Sequence, residues 1–247
     1  MKFPRQSAAV LILVSVLALV GCHSSSNTTS TRRVDGSGVL DQESRQVAAF
    51  ARVLFAAIGE VDIEQGAQQA LSIEAEDNLL TYLETDVIGD ELLISIANGI
   101  DLNPTMPIQF NLTVVDLAEV THAGVGSIDV PDLVAPQLSL SLAGVGDLDV
   151  TNLTGQTLDV NHAGVGEIRV TGTVDSQTVM VSGVGDYDGE DLVSADAVVT
   201  SSAVGSVTVR VSDTLDVTIN GPGSVFYIGN PVITSSITGG GTLQKIG

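Results

Sequence analysis

Residues 122–130 read HAGVGSIDV, and the phrase returns as LAGVGDLDV at 142, HAGVGEIRV at 162 and SGVGDYDG at 182. It then decays to SAVGSVTV at 202, NGPGSVFY at 220 and TGGGTLQ at 238. A repeat of 18 to 20 residues marks a solenoid, in which each unit buries its apolar face only against its neighbours. Alignment on the second glycine (126, 146, 166, 185, 205, 223, 241) exposes a core. Two places after it stand Ile128, Leu148, Ile168, Tyr187, Val207, Val225 and Leu243, and six places before it stand Val120, Leu140, Val160, Val179, Val199 and Val217. Two such columns are the internal ladders of strands stacked in register, one entering the glycine turn and one leaving it. A third column at Leu133, Leu153 and Leu192 predicts another strand and a third corner.

The turn residues expected to be structural are Gly124, Gly126, Gly144, Gly146, Gly164, Gly166, Gly183, Gly185, Gly205, Gly221 and Gly223. Lacking a side chain, they permit positive φ and a close approach of successive coils. The predicted fold is therefore all-β, a single-stranded parallel β-helix, right-handed because parallel crossovers nearly always are. Seven marked turns at the usual strand spacing give a prism of roughly 30 Å. Composition agrees: 44% of the 247 residues are hydrophobic, yet only 3% are aromatic and none is Trp, so the interior rests on Val, Leu and Ile.

Residues 1–21 carry Lys2, Arg5 and a charge-free run from Ala8 to Val20, the pattern of an export signal and too short to span a bilayer. The run ends in Leu19-Val20-Gly21-Cys22, which resembles the lipobox of bacterial lipoproteins; the resemblance implies lipid attachment at Cys22, the single cysteine. In that class, His23 in place of an aspartate favours an outer-membrane address in the cell envelope. Residues 22–45, rich in Ser and Thr, read as a flexible tether. Residues 46–247 read as one domain, irregular amino-terminal coils over 46–120 and regular Gly-x-Gly coils over 121–247. Apolar content over 45–58 admits a helix. Beyond 60, Leu71, Ile73, Leu92, Ile94 and Ile96 alternate with polar neighbours as strands do.

The Gly-x-Gly turns followed by an acidic or hydroxyl residue, the closing TGGGTLQKIG, and the stretches IEAEDNLLTYLETDV and DELLISI resemble the GIN-domain family, known as putative autotransporter-adhesin heads. The resemblance covers nearly all of 46–247. It implies a single-stranded right-handed β-helix in an exported bacterial protein, with Ala-Gly-Val-Gly here where members commonly show Ser-Gly-Ala-Gly.

Removing residues 1–21 leaves seven basic against 30 acidic residues, a net charge of −23. That balance repels nucleic acid. Asp147, Glu167 and Asp186 follow the second glycine on three successive coils, where a divalent cation such as calcium would be the fitting ligand. The same residues are explained as turn residues bonding nearby amides, and that reading, with no metal and no cofactor, is the one adopted. His122 and His162 share a position two coils apart, about 9.6 Å on the strand spacing, too far to share one zinc ion. They are expected to flank the core at a strand end.

No catalytic constellation emerges. Between 101 and 247 only Arg169, Arg210 and Lys245 are basic, and no Gly-x-Ser-x-Gly elbow occurs. The expected function is a non-catalytic, lipid-anchored envelope protein presenting a rigid acidic β-helix for binding or adhesion. Its partners are the membrane, through the anchor, and a protein or glycan ligand, with a homo-oligomer as a further form. A carbohydrate hydrolase using two carboxylates and a scaffold assembling through coil ends are the alternatives.

Overall fold

The computed structural model describes residues 31–247, which form one compact unit. The expected export signal and Cys22 lie outside the described residues. In chain order the strands are β1 (Arg32–Asp35), β2 (Leu40–Arg45), β3 (Arg52–Ala56), β4 (Ile58–Gln65) and β5 (Ala70–Glu76). After a 3-10 turn at Leu80–Tyr82 come β6 (Leu83–Ile88), β7 (Glu91–Ile96), β8 (Ile100–Asn103), β9 (Gln109–Val114), β10 (Glu119–His122) and β11 (Val125–Pro131). The regular coils follow as β12 (Gln137–Leu142), β13 (Val145–Thr154), β14 (Thr157–His162), β15 (Val165–Thr173), β16 (Ser176–Val181) and β17 (Val184–Ser201). The stack ends with β18 (Ser206–Ile219), β19 (Ser224–Ile228), β20 (Val232–Ile237) and β21 (Leu243–Lys245).

Successive coils pair in parallel and in register, so the repeat alignment is literal: Val120 lies on Leu140 and Ile128 on Leu148. The Val120, Ile128 and Leu133 ladders are buried where the alignment places them. Each fully buried Val, Leu or Ile contributes roughly 1.5–3 kcal/mol. The fold is the expected all-β parallel solenoid. Its third corner is built by Asp132 and Asn152, at φ 51° and 55°, a conformation these two residue types tolerate best. Asn152 Nδ2 donates to Asp132 Oδ1 at 2.8 Å. On the next coil the register shifts between Val150 and Leu153, and Gly172 takes the place opposite Leu153. The shortening of the repeat from 20 to 19 residues is thus absorbed at this corner.

Two expectations are corrected. The stretch read as a tether includes β1 and β2: β1 pairs with β8, and β2 runs antiparallel to β5. Its loop is held by Glu76, buried at 0% exposure, whose carboxylate accepts the Gly38 amide at 2.6 Å and the Thr105 amide and hydroxyl at 2.8 and 2.6 Å. The Thr105 hydroxyl and these amides hold the Glu76 carboxyl below its ordinary range, against the opposing effect of burial.

The stretch 45–58 is also not helical, because it begins a coil. FAAIGEVDI at 55–63 is a first copy of the repeat phrase, and Gly59 lies directly on Gly126. Stacking order departs from chain order here. The coil of β3 and β4 is gripped between β7 with β9 on one side and β10 with β11 on the other. Antiparallel β5 and β6 then close that end.

Candidate functional site

The Gly-x-Gly motif places its two glycines differently. The second has positive φ, 136° at Gly146, and a Cβ there would lie 1.7 Å from the Gly126 carbonyl oxygen of the coil below. The first glycine is needed for space: a Cβ on Gly144 would fall 2.1 Å from the Gly124 carbonyl oxygen. The residue before the second glycine is an exposed valine on five successive coils, at Val125, Val145, Val165, Val184 and Val204.

The strand leaving each turn carries two outward columns of charge on one face. The first runs Glu60, Ser127, Asp147, Glu167 and Asp186, and the second Asp62, Asp129, Asp149, Arg169 and Asp188. Strand pairing holds neighbours in each column about 4.8 Å apart. Such spacing makes like charges interact. Burial and then the charges of Asp62, Glu60 and Asp147 raise the Asp129 carboxyl above its ordinary range. Asp149 is raised by burial and by Asp129, with Arg169 working against both. Arg169 is the one cation in these columns, reaching Glu167 at 3.0 Å, Asp188 at 3.5 Å and Asp149 at 3.6 Å. Glu167 and Asp188 in turn raise the Arg169 guanidinium above its ordinary value.

The three carboxylates considered for calcium stack on successive coils and are occupied with protein donors. Asp147 Oδ1 accepts the Glu167 amide at 2.9 Å, and Asp186 Oδ1 accepts both the Ser206 amide and its hydroxyl at 2.6 Å. Among the described residues no group of three His, Cys, Asp or Glu is placed to hold a metal ion.

His122 and His162 lie inside the core with no exposed surface, two coils apart with Leu142 between them. Each Nε2–H donates to the carbonyl of the positive-φ glycine four residues on, Gly126 at 2.9 Å and Gly166 at 2.8 Å. Both Nδ1 atoms are buried without a partner among the described residues, as is the Ser201 hydroxyl on the same ladder two coils further. Burial lowers the His122 pKa, opposed by its bond to Gly126 and by the charge of Asp147.

Sequence reading missed three features. The second acidic column is spelled by the residue three after the glycine, Asp on four of its five coils and Arg169 on the other. Gly59 opens the first coil although its stacking partner, Gly126, lies 67 positions further along the chain. A buried polar chain also crosses the core: Tyr187 Oη donates to Gln177 Oε1 at 3.0 Å, Gln177 Nε2 to Ser194 Oγ at 2.9 Å, and Ser194 Oγ to the Arg210 carbonyl at 3.0 Å. Only Tyr187 was legible beforehand, as the aromatic member of an apolar column.

The adjacent face is different in chemistry. Its outward column nearest the turn, Thr121, Ser141, Asn161, Met180 and Thr200, is uncharged, while the column two residues earlier carries Glu119, Asp159 and Asp216. An opening of about 370 Å³ in the amino-terminal cap is lined by Gln42, Arg45, Gln69 and Asn111.

A ladder of Gly-x-Gly corners continued in register from residue 55 onward is the decisive feature. Residues 49–231 match the model of the family described as putative auto-transporter adhesin, head GIN domain. The chain belongs to this family. Among solved structures, this GIN-domain protein is similar to a putative adhesin from Bacteroides fragilis NCTC 9343, with 26% identity and a TM-score of 0.83 over 86% of this chain and 100% of that one. It also shares its fold with a putative lipid binding protein from Parabacteroides distasonis ATCC 8503, at 24% identity and TM-score 0.72 over 87% and 100% of the two chains. A putative adhesin from the same Parabacteroides strain has this fold at 18% identity and TM-score 0.68, over 87% and 100%. No curated protein matches the chain.

Proposed function

We propose that this GIN-domain chain is a lipid-anchored protein of the bacterial cell envelope that binds or adheres through its acidic face and catalyses nothing. The observation that carries the reading is the pair of carboxylate columns held in register on five stacked coils. Rigid, evenly spaced acceptors suit a ligand that repeats positive charge or hydrogen-bond donors, such as a basic protein segment or an amine-bearing glycan, because single weak contacts multiply along the stack. The family description and the similar solved adhesins support the same direction. Attachment through Cys22 at the outer membrane completes the proposal; the acyl chains would hold the domain at the envelope.

The test is retention of the purified domain on glycan arrays, matrix proteins and whole cells. Binding is expected that weakens with salt and is lost in the triple variant Asp62→Asn, Asp129→Asn, Asp149→Asn. Retention on none of these surfaces, or retention indifferent to the triple variant, would overturn the acidic-face reading.

A further inference from the structure

The two ends of the stack are finished differently. At the amino-terminal end the outermost strands β2 and β6 run antiparallel to their neighbours and carry Asp41, Glu43, Glu84 and Asp86. Charge on an outer strand is a standard protection against pairing with another chain. At the other end β20 pairs only with β18, and β21 only with β19. The outer edges of β20 and β21 have no partner among the described residues.

The side chains of that coil repeat the core pattern without being buried. Ile233 and Ile237 stand on Leu215 and Ile219, which are sealed, yet they are themselves 38% and 45% exposed. Outward on the same strand Val232 is 75% exposed, and Ile246 beyond β21 is 48% exposed. This is a cross-section of the core facing solvent.

Its charge is equally distinctive. In a chain of net charge −21, no Asp or Glu occurs after Asp216, and Lys245 is the one charged residue from there to 247. Elsewhere the molecule repels a copy of itself, whereas this end does not.

We infer that the coil end formed by β20 and β21 joins a second copy of this chain end to end, related by a two-fold axis. The inference goes beyond ligand binding and is independent of it. Two-fold symmetry makes the contact isologous and closed, so it stops at a dimer. β20 meets its counterpart antiparallel, the paired edges complete one another's hydrogen bonds, and Ile233 and Ile237 of both copies cover one another. Head-to-tail growth is opposed by the acidic strands at the opposite end. A single coil end is a small footprint, below the roughly 1,200 Å² of a standard interface, so the dimer dissociates on dilution.

The test is sedimentation of the full chain in density-matched detergent across a concentration series. The mass should rise to twice the monomer value, and the dimer fraction should grow with salt as repulsion between the two acidic stacks is screened. Ile237→Lys should return it to the monomer at every concentration, and Val232→Glu, at a site too exposed to affect folding, should do the same. Val145→Lys, on the exposed valine row far from this end, should leave the dimer intact. Lys2 and Lys245 are the two lysines of the chain, so an amine-specific cross-linker followed by mass spectrometry should yield a Lys245–Lys245 product. A monomer at all concentrations, species larger than a dimer, or a dimer lost through Val145→Lys but not Val232→Glu would overturn the inference.

Discussion

Gly146 concentrates the demands of the repeat in one residue. It needs positive φ, and the carbonyl of Gly126 occupies the space a side chain would take. Gly38 also has positive φ, 76°, but open space around it. Gly38→Ala should therefore show the conformational cost alone, about 1–2 kcal/mol. Gly146→Ala must in addition push two coils apart, so urea unfolding should find it destabilised by clearly more than Gly38→Ala. Equal losses would mean that φ, and not stacking, selects glycine there. His122 poses the opposite question, a polar side chain in an apolar ladder. Its pKa is lowered by burial, so the unfolded chain binds protons more readily. Stability is full above the ordinary value near 6.5 and is lost as pH falls through the lowered one. His122→Leu copies what Leu142 does one coil away. It should cost about 1 kcal/mol or less near neutral pH, where a single bond to the Gly126 carbonyl is lost. In melts between pH 7 and 5 the variant's decline should be visibly shallower than that of the parent.

At the level of strands and turns, the acidic columns are made by the same regularity that makes the core. Pairing aligns Asp129 with Asp149 as strictly as Ile128 with Leu148. Asp147 and Asp186 spend their oxygens on amides of the next coil, so they act as rungs between coils. Calcium and magnesium at matched ionic strength should then give the same melting temperature, and EDTA should change nothing. A rise specific to calcium would show a site after all. The Glu76 latch predicts a separate acid response. Because its pKa is lowered, its contribution is present above its ordinary value near 4.5 and fades as pH falls through the folded-state value. Glu76→Gln should loosen the loop before β2 at neutral pH, seen as lower protection from amide exchange at Gly38 and Thr105, and that protection, taken relative to the intrinsic rate at each pH, should no longer fall with acid.

The regular coils were legible because each repeats the glycine, the apolar pair and the spacing. The first coil was harder to read. FAAIGEVDI keeps one glycine of two, and its stacking partner lies beyond an excursion of five strands, which no fixed period reveals. Of the site, Asp147, Glu167 and Asp186 were read because they adjoin the glycine. Asp62, Asp129 and Asp149 were not, because that position changes to Arg169 midway and so hides its periodicity. Polar members of the core such as Gln177 carry no local signal; their partners Tyr187 and Ser194 belong to other strands.

For the whole molecule, charge and shape act together. Among the described residues seven basic side chains face 30 acidic ones along a narrow stack, so self-repulsion opposes folding at low salt. The melting temperature should rise as sodium chloride increases from about 10 mM to about 150 mM, where the screening length shortens to roughly 8 Å. A flat response would mean that Arg169 and the rungs between coils already offset the repulsion.

The grip on the first coil bears on how such a chain is assembled. Residues 52–65 have neighbours on both sides that come later, 91–114 and 119–131. A chain emerging from its amino terminus cannot finish that layer until about 131 has appeared, and closing the intervening loop costs entropy before any stacking returns it. Every later coil needs only the one beneath it. Assembly thus has one slow decision at the start and a quick succession afterwards, with the direction of growth set away from the amino-terminal end.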